Sequence, residues 1–173
     1  DRLNTFNHPF ISFDFLNSLE ISKSVHSSTG WNPQHIIIKN TNQEIIGASP
    51  NYLKMHSYGE YIFDHSWANA FENAGGQYYP KLLCAIPFTP ATGPRIIINS
   101  ENSEHKKIFE LIIKTFESLV RNNKLSSAHI NFTTDDFNNR LQNDNWIRRT
   151  GLQFHWHNNN YETFDDFLDH LKS

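Results

Sequence analysis

The sequence predicts a mixed α/β domain, in which helices pack against a sheet with parallel and antiparallel strands. Short β-branched runs between turn residues, such as His35–Lys39 and Arg95–Asn99, are typical of strands. The stretch from Ser103 to Arg121 repeats apolar residues at spacings of three and four, which is typical of an amphipathic helix. Since the alternating run Ala128–Phe132 follows it, the order from Arg95 to Phe132 predicts a strand–helix–strand crossover between parallel strands.

The N-terminal half predicts further elements. Ser12 is a suitable N-cap for a helix that contains Phe13 and Leu19. His35–Lys39 and a second arm from Glu44 toward Leu53 predict a hairpin. Ser66 is expected to cap a short helix that closes at Gly75-Gly76, and Tyr78–Phe88 is expected to be a strand.

The remaining elements alternate in the same way. Ser103 is the expected cap of the long helix, and a second helix is expected over Asp135–Asn143. Trp146–Trp156 predicts one or two strands, broken at Gly151, and Thr163 is the expected cap of a last helix that reaches Leu171.

Composition excludes several classes of protein. A chain of 173 residues is long enough for one domain. Its net charge of −3 argues against a nucleic-acid coat protein. Its longest apolar runs are much shorter than the roughly 20 residues of a membrane helix. Cys84 is the sole cysteine, so an internal disulfide and a Cys-rich zinc site are excluded, and a cytoplasmic location is expected.

The segment His56–Asp64 is the first group of residues suited to chemistry. If it is extended, His56, Tyr58 and Glu60 share one face. A carboxylate beside aromatic rings can have a raised pKa and act as a general base, which would be the role of Glu60. The alternative is a rim of aromatic packing in which Glu60 pairs with an arginine.

The second group lies around four prolines, Pro80, Pro87, Pro90 and Pro94. Tyr79 stands before Pro80 and Lys81, and Arg95 follows Pro94. Rings beside prolines form rigid walls, and the two cations could bind a phosphate or a carboxylate. The alternative is a set of turns that carries ordinary surface charges.

The third group is the strand expected near the C-terminal end. Gln153, His155 and His157 would share one face, opposite Phe154 and Trp156. Such a polar line could orient an amide or an amine. No carboxylate lies near the two histidines in sequence, so no metal site is expected there.

Taken together, these motifs resemble a known bacterial family. They are His56-Ser57-Tyr58-Gly59-Glu60-Tyr61 with Phe63-Asp64, Tyr78-Tyr79-Pro80-Lys81-Leu82, Pro87-Phe88-Thr89-Pro90 with Gly93-Pro94-Arg95, and Gln153-Phe154-His155-Trp156 with Asn158 and Tyr161. In this order and spacing, from about Pro9 to Leu171, they resemble the FemAB-like proteins of peptidoglycan biosynthesis or recognition, which are also described as N-acyltransferases of the GNAT type.

The resemblance implies an acyl-CoA N-acyltransferase-like (GNAT-like) fold, often present as two units in tandem. It therefore implies that residues 1–173 form a single domain, the N-terminal half of a longer protein with a second unit after it. The implied activity is transfer of an acyl or aminoacyl group to an amine of a peptidoglycan precursor or a peptide. An acyl-CoA or an aminoacyl-tRNA is the implied donor for the full-length protein, and no other nucleic-acid partner is expected.

One stretch departs from the pattern of acetyl-CoA enzymes in this superfamily. They hold the pyrophosphate on a glycine-rich loop before the central helix. The corresponding stretch Asn99–His105 has no glycine and contains Glu101 and Glu104. We therefore expect this half to bind acetyl-CoA weakly or not at all and to shape the acceptor site.

These observations give one hypothesis for the site. Glu60 would be the base and His155 a proton relay in one cleft. The substrate-binding residues would be Tyr58, Tyr79, Lys81, Arg95, Gln153 and Trp156. The alternative function is a non-catalytic domain that recognises a muropeptide or a nucleotide-sugar.

Overall fold

The computed structural model describes residues 3, 8–99, 102–141 and 146–171. Within these it has the predicted mixed α/β structure, and its strands form two sheets. The helices are α1 Phe13–Ile21, α2 His65–Asn73, α3 His105–Asn122, α4 Asp135–Arg140 and α5 Phe164–Leu171. The strands are β1 Trp31–Pro33, β2 Ile36–Lys39, β3 Ile45–Ser49, β4 Asn51–Lys54, β5 Lys81–Cys84, β6 Ile97–Ile98 and β7 Ala128–Ile130. Two short 3-10 helices cover Pro9–Ile11 and Ser27–Thr29.

The first sheet has the strand order β1-β4-β5-β7. Strand β4 is antiparallel to both β1 and β5, whereas β5 and β7 are parallel. The register places Lys54 of β4 opposite Lys81 of β5, and Trp31 of β1 opposite Lys54 on its other side. Two lysines therefore face each other across the middle of a sheet.

The second sheet has the order β2-β3-β6 and is antiparallel throughout. Strands β2 and β3 form the predicted hairpin. The predicted crossover is partly wrong, because the parallel neighbour of β7 is β5, and β6 pairs with β3 in the other sheet. A local pattern of apolar residues predicts a strand but carries no information about which strand it will pair with.

Helix α3 covers the main core through the predicted apolar stripe. Ile112 and Phe116 are fully buried, and Phe109 and Ile113 are nearly so. The helix approaches β3 so closely that a Cβ on Gly47 would lie 2.7 Å from the Ile108 side chain. This close approach explains why glycine stands in the middle of a strand. Cys84 is buried at the same core, as an unpaired thiol.

Most predicted helix positions are confirmed, with small differences at the ends. Ser12 accepts a hydrogen bond from the Phe15 backbone N–H, as an N-cap does. Thr163 likewise accepts from Asp166 at the start of α5. The N-cap position of α2 is Asp64 rather than Ser66, and that of α3 is Glu104 rather than Ser103. Residues 142 and 143 of the helix predicted after Asp135 lie outside the described residues.

The strand predicted over Trp146–Trp156 is wrong. Residues 146–160 have no regular secondary structure, and every side chain from 147 to 160 is exposed. Alternation alone cannot form a strand without a neighbour to which its backbone can hydrogen-bond. The strand predicted over Tyr78–Phe88 is shortened to Lys81–Cys84.

In the described part of the chain, no helix combines the length and the apolar character needed to cross a membrane.

Candidate functional site

A buried cluster of charges forms where β5 meets the segment between β4 and α2. The side chain of Lys81 is fully buried, and its Nζ donates hydrogen bonds to Ser57 Oγ at 2.8 Å, Glu60 Oε2 at 2.9 Å and Asp64 Oδ2 at 2.8 Å. One ammonium thus binds three oxygens from a segment of eight residues. Lysine has three donors, and this arrangement uses all of them.

Two tyrosines that precede β5 complete the cluster. Tyr78 donates its hydroxyl to Asp64 Oδ2 at 2.8 Å, and the Tyr79 hydroxyl lies 2.8 Å from Ser57 Oγ. The two ring centroids lie 5.4 and 5.6 Å from Lys81 Nζ, within the range of a cation–π interaction. The aromatic side chains therefore shield the ammonium as well as hydrogen-bonding to its partners.

A second lysine lies next to the first. Lys54 is fully buried, its Nζ donates to the Tyr58 carbonyl at 3.2 Å, and it lies 3.5 Å from the centroid of the Trp31 ring. Burial lowers the pKa of Lys54 to about 7, against the attraction of Glu60 and with the help of the Lys81 charge. Near neutral pH this amine is therefore present in both its charged and its neutral form.

The pKa values of the two carboxylates are shifted in opposite directions. Burial raises the pKa of Glu60 above its ordinary range, and this outweighs the attraction of Lys81 and Lys54. Burial acts in the same direction on Asp64, but hydrogen bonds from Lys81, Ser57 and Tyr78 outweigh it and hold the Asp64 pKa well below its usual range. Glu60 is therefore the carboxylate of the pair that can accept a proton, while Asp64 stays ionised.

The second oxygen of each carboxylate has a different environment from the oxygen that binds Lys81. Glu60 Oε1 and Asp64 Oδ1 are buried and have no hydrogen-bond partner among the described residues. An unpartnered buried oxygen costs about 1–3 kcal/mol, and more on a charged group. Such a cost is common at functional sites, where a group must remain able to change its proton.

A hollow of about 170 Å³ opens directly beside the cluster. Ser57 and Tyr79 belong both to its wall and to the hydrogen bonds around Lys81. The hollow is otherwise lined by His56, Tyr58, His65, Ala68, Asn69 and Glu72. The Tyr58 ring lies between the two imidazoles, with ring centroids 5.0 Å from His56 and 5.8 Å from His65. The hollow thus combines aromatic faces with one acidic side chain.

The shape of the segment 55–64 depends on unusual backbone angles. Gly59, Tyr61 and Phe63 all have positive φ, so the chain coils into successive turns and brings Ser57, Glu60 and Asp64 toward one point. A Cβ on Gly59 would lie 2.7 Å from the Phe88 ring, so both the angle and the space require glycine. The extended arrangement considered from the sequence is wrong for this reason, and Tyr58 is exposed whereas Glu60 is buried.

Four of the predicted site residues therefore lie around one centre. Lys81 contacts Glu60 directly, while Tyr79 and Tyr58 line the adjoining hollow. The arginine pairing proposed as an alternative for Glu60 is replaced by a lysine pairing, since Lys81 occupies that place. Whether any of these residues binds a substrate stays a prediction.

Arg95 lies elsewhere and has a structural environment. Its guanidinium is fully buried and donates to the backbone carbonyls of Asn131, Ala91 and Pro94. Burial lowers the Arg95 pKa to about 10. The hydrogen bonds of Arg95 tie the turn before β6 to the end of β7, and the anion-binding role expected from the sequence stays a prediction.

The remaining predicted residues lie on the exposed segment near the C-terminal end. Gln153 donates to the Pro90 carbonyl at 2.8 Å, and His155 Nε2 lies 3.2 Å from Gln153 Oε1. The rings of His155 and His157 stack with centroids 6.4 Å apart, and Trp156 packs on Phe167. The proposed meeting of His155 with Glu60 stays a prediction, as does the donor-loop interpretation, because Ser100 and Glu101 lie outside the described residues.

The sequence reasoning missed several residues of the centre. Ser57, Asp64 and Tyr78 all bind the cluster, and Lys54, His65 and Glu72 surround it. A signal was present, because Lys54 ends and Lys81 begins a strand that is otherwise suited to burial. Lysine is rarely buried without a partner, so its presence there indicates carboxylates nearby. No group of three or more metal-ligating side chains is found in the described ranges.

Comparison with known proteins gives one match. The model of the FemAB-like family, described as peptidoglycan biosynthesis/recognition, matches residues 1–173. Neither the curated proteins nor the solved structures contain a match to the chain.

Proposed function

The chain belongs to the FemAB-like family of peptidoglycan biosynthesis/recognition proteins, and we propose that it forms the acceptor site of an N-acyltransferase. In this proposal the hollow beside Lys81 binds the amine that receives the acyl group. The proposal rests on two residues that line the hollow and also belong to the hydrogen bonds around Lys81. Ser57 and Tyr79 face the hollow and also bind the buried charges, so a group in the hollow is one hydroxyl away from Lys81.

The lining of the hollow suits an ammonium group. The rings of Tyr58 and Tyr79 offer π faces to a cation, and Glu72 supplies a negative charge. Burial and the Lys54 charge lower the pKa of His56, so this imidazole is neutral near pH 7 and does not repel a cation. A volume of about 170 Å³ accommodates an amine with a short stem rather than a whole peptide.

The bound amine must lose a proton before it can attack. In the proposed step, Lys81 first passes the proton of its 2.9 Å hydrogen bond with Glu60 Oε2 to that carboxylate. The Lys81 nitrogen then has a lone pair, which accepts the hydroxyl proton of Ser57 across 2.8 Å while Ser57 Oγ accepts a proton from the bound amine. Glu60 ends protonated, Lys81 regains its charge, and the amine becomes a nucleophile. The raised pKa of Glu60 favours this direction.

The transfer itself needs an acyl donor. The amine nitrogen forms a bond to the acyl carbon, and the bond from that carbon to the sulfur of an acyl-CoA, or to the oxygen of an aminoacyl ester, breaks. The leaving group departs as a thiol or an alcohol with one proton. We place the donor in a second acyltransferase-like unit of the full-length protein, and the acceptor is a peptide or a peptidoglycan precursor with a free amine.

One observation favours the second candidate function, a recognition domain without catalysis. Glu60 is only 3% exposed and already pairs with Lys81. A carboxylate with a purely structural role would have the same burial and the same ion pair. In that case the hollow still binds an amine, but no proton reaches Glu60.

Replacing Glu60 distinguishes the two functions. Glu60→Gln in the full-length protein keeps the shape and an acceptor for Lys81, and catalysis by Glu60 predicts a turnover about 10²–10⁴-fold lower per folded molecule. The assay follows amide formation by mass spectrometry with a stem peptide as acceptor and an acyl-CoA or an aminoacyl-tRNA as donor.

Asp64→Asn is the matched control. It also removes one negative partner of Lys81, but Asp64 is not the base, so turnover per folded molecule should fall far less. Equal losses in the two variants would assign Glu60 to the architecture and leave recognition as the function.

A further inference from the structure

Lys54 is a buried titratable group that the proposed proton transfer does not use. Its side chain is fully buried at the end of β4, opposite Lys81 of β5. An ammonium has three donors, and in the described part of the chain Lys54 Nζ has one hydrogen bond, to the Tyr58 carbonyl at 3.2 Å. Lys81, in contrast, uses all three of its donors. A buried ammonium with so few acceptors is held only weakly in its charged form.

The surroundings of Lys54 nearly balance its charged and neutral forms. Burial and the Lys81 charge favour the neutral amine and lower the pKa of Lys54 to about 7. The charge of Glu60 and the Trp31 ring, whose centroid lies 3.5 Å from Nζ, favour the ammonium. The charge of Lys54 therefore changes within the neutral range of pH.

Glu60 is the carboxylate that this change of charge affects. Its Oε2 accepts a hydrogen bond from Lys81 at 2.9 Å, but its Oε1 is buried without a partner among the described residues. The ionised form of Glu60 therefore depends on nearby charges as well as on that hydrogen bond, and Lys54 supplies one of these charges. An opposite charge nearby lowers the pKa of a carboxyl group. Glu60 is thus a weaker base when Lys54 is charged than when Lys54 is neutral.

The other titratable groups around the cluster have a fixed charge near pH 7. In the segment between β4 and α2, the hydrogen bonds of Asp64 outweigh its burial and hold its pKa well below its usual range, whereas burial lowers the pKa of His56. Burial also lowers the pKa of His129 on β7 to about 4 and raises the pKa of Tyr78 before β5. Near pH 7 Asp64 is therefore negative and the other three groups are neutral, while Lys54 changes its charge.

We propose that Lys54 is a positioning residue of the transfer, an inference that rests on the proposed function. As an ammonium, Lys54 keeps Glu60 ionised at the lower end of the neutral range. As a neutral amine, it leaves Glu60 the stronger base at the upper end. Glu60 therefore stays able to take a proton from Lys81 over a wider range of pH than a lone buried carboxylate would. Lys54 itself touches no substrate and acts only through Glu60.

Replacements that remove or fix the charge of Lys54 test the proposal in the full-length protein. Lys54→Met and Lys54→Gln are neutral, and the Gln side chain keeps a donor for the Tyr58 carbonyl, whereas Lys54→Arg stays charged. In the amide-formation assay, the acid limb of kcat/KM should move to higher pH by about one unit in both neutral variants. In Lys54→Arg it should lie at or below the wild-type position, and turnover above about pH 8 should fall about two- to fivefold because Glu60 is the weaker base.

Lys39→Met is the matched control. It also removes a positive charge from the last residue of a strand, but Lys39 is exposed and belongs to the other sheet. It should leave the pH profile unchanged.

Infrared spectroscopy of the full-length protein without substrates follows Glu60 directly. A carboxyl band that is absent from Glu60→Gln belongs to Glu60, and the pH of its half-protonation should be about one unit higher in Lys54→Met than in the wild type. This measurement needs no turnover. If Glu60→Gln keeps full turnover, the proposed function fails, and the infrared midpoint still shows whether Lys54 controls the charge of Glu60.

Two results would overturn the inference while leaving the proposed function intact. One is an infrared midpoint and an acid limb that neither neutral variant moves, although Glu60→Gln abolishes turnover. The other is a wild-type pH profile in Lys54→Gln but not in Lys54→Met, because Lys54 would then act through its hydrogen bond to Tyr58 and not through its charge.

Discussion

Removing the ammonium of Lys81 is the most direct test of the buried cluster. Lys81→Met keeps the length and the apolar stem of the side chain but leaves Glu60 and Asp64 without their shared cation. Breaking a buried ion pair by removing one partner costs about 3–5 kcal/mol, because a charge is left uncompensated. Two carboxylates at 2.9 and 2.8 Å lose their partner here, so we expect the upper part of that range.

The measurement is urea unfolding followed by tryptophan fluorescence, with calorimetry for the melting temperature. In a chain of this length, 1 kcal/mol shifts the melting temperature by about 2–4 °C, so a fall of roughly 10–15 °C is expected. Adding Glu60→Gln to Lys81→Met removes one uncompensated charge. The double variant should therefore be more stable than the sum of the single effects predicts, by about 1–3 kcal/mol.

Lys107→Met is the matched control, because it breaks an ion pair of the same length that is not buried. Lys107 Nζ lies 2.8 Å from Glu104 Oε1, as close as the buried pairs, but both side chains are more than half exposed. Exposed pairs contribute about 0–1 kcal/mol, so this variant should be nearly as stable as the wild type. If Lys81→Met is no more destabilising than Lys107→Met, the cluster is not a buried ionic centre and the reasoning fails.

Two further predictions concern stability. Phe116→Ala should cost about 3–5 kcal/mol because Phe116 is fully buried under α3; in the same unfolding assay Leu111→Ala, on the exposed side of that helix, is the control, and a loss below about 1 kcal/mol for Phe116 would place the helix outside the core. His129, half-buried on β7, has a pKa lowered to about 4 by burial and then by the Lys81 charge. The unfolded state therefore binds more protons between about pH 4 and 6.5, and this residue alone should make the free energy of unfolding rise with pH there by up to about 3 kcal/mol. His129→Asn should remove that part of the rise, and pH profiles of the two proteins that run parallel would contradict the assignment.

Elements whose formation depends on nearby residues could be predicted from the sequence. The stripe from Phe109 to Phe116 buries one face of a helix whichever sheet lies beneath it, so its period of 3.6 is sufficient evidence. The hairpin of β2 and β3 is equally local, because Asn40 closes its turn with hydrogen bonds to the backbone of Asn42 and Glu44. Ser12 caps α1 through a residue three positions away.

Elements that depend on distant partners could not be predicted in this way. Ile97-Ile98 forms a strand as expected, but its partner is Gly47-Ala48 rather than β7, the strand that follows α3. The alternation in Gln153–His157 resembles a strand, yet no strand of the described chain pairs with it. Side-chain pattern indicates that a segment can pair, whereas pairing itself needs an available edge.

The site could be predicted from the sequence in part. Glu60 and Lys81 were both identified from the sequence, but as a base and a substrate-binding cation of one cleft and not as a hydrogen-bonded pair. The error came from the backbone of 55–64, where positive φ at Tyr61 and Phe63 turns Glu60 inward. A non-glycine residue with positive φ is uncommon, so no reasoning from propensity would place two of them within three residues.

The register of the first sheet gives the physical reason for the cluster. Lys54 and Lys81 are direct cross-strand partners, and like charges in that position repel each other. Strands β4 and β5 could not pair stably with two buried ammonium groups unless negative charge were brought to them. The segment that joins β4 to α2 brings it, since Glu60 and Asp64 both reach Lys81. Among the described ion pairs, Lys54 has no carboxylate partner. Its pKa is instead lowered to about 7, so that the amine loses part of its positive charge near neutral pH. The ion pairs of Lys81 thus hold β5 to the segment before α2, while burial lowers the pKa of Lys54 to about 7 and raises the pKa of Glu60 above its ordinary range.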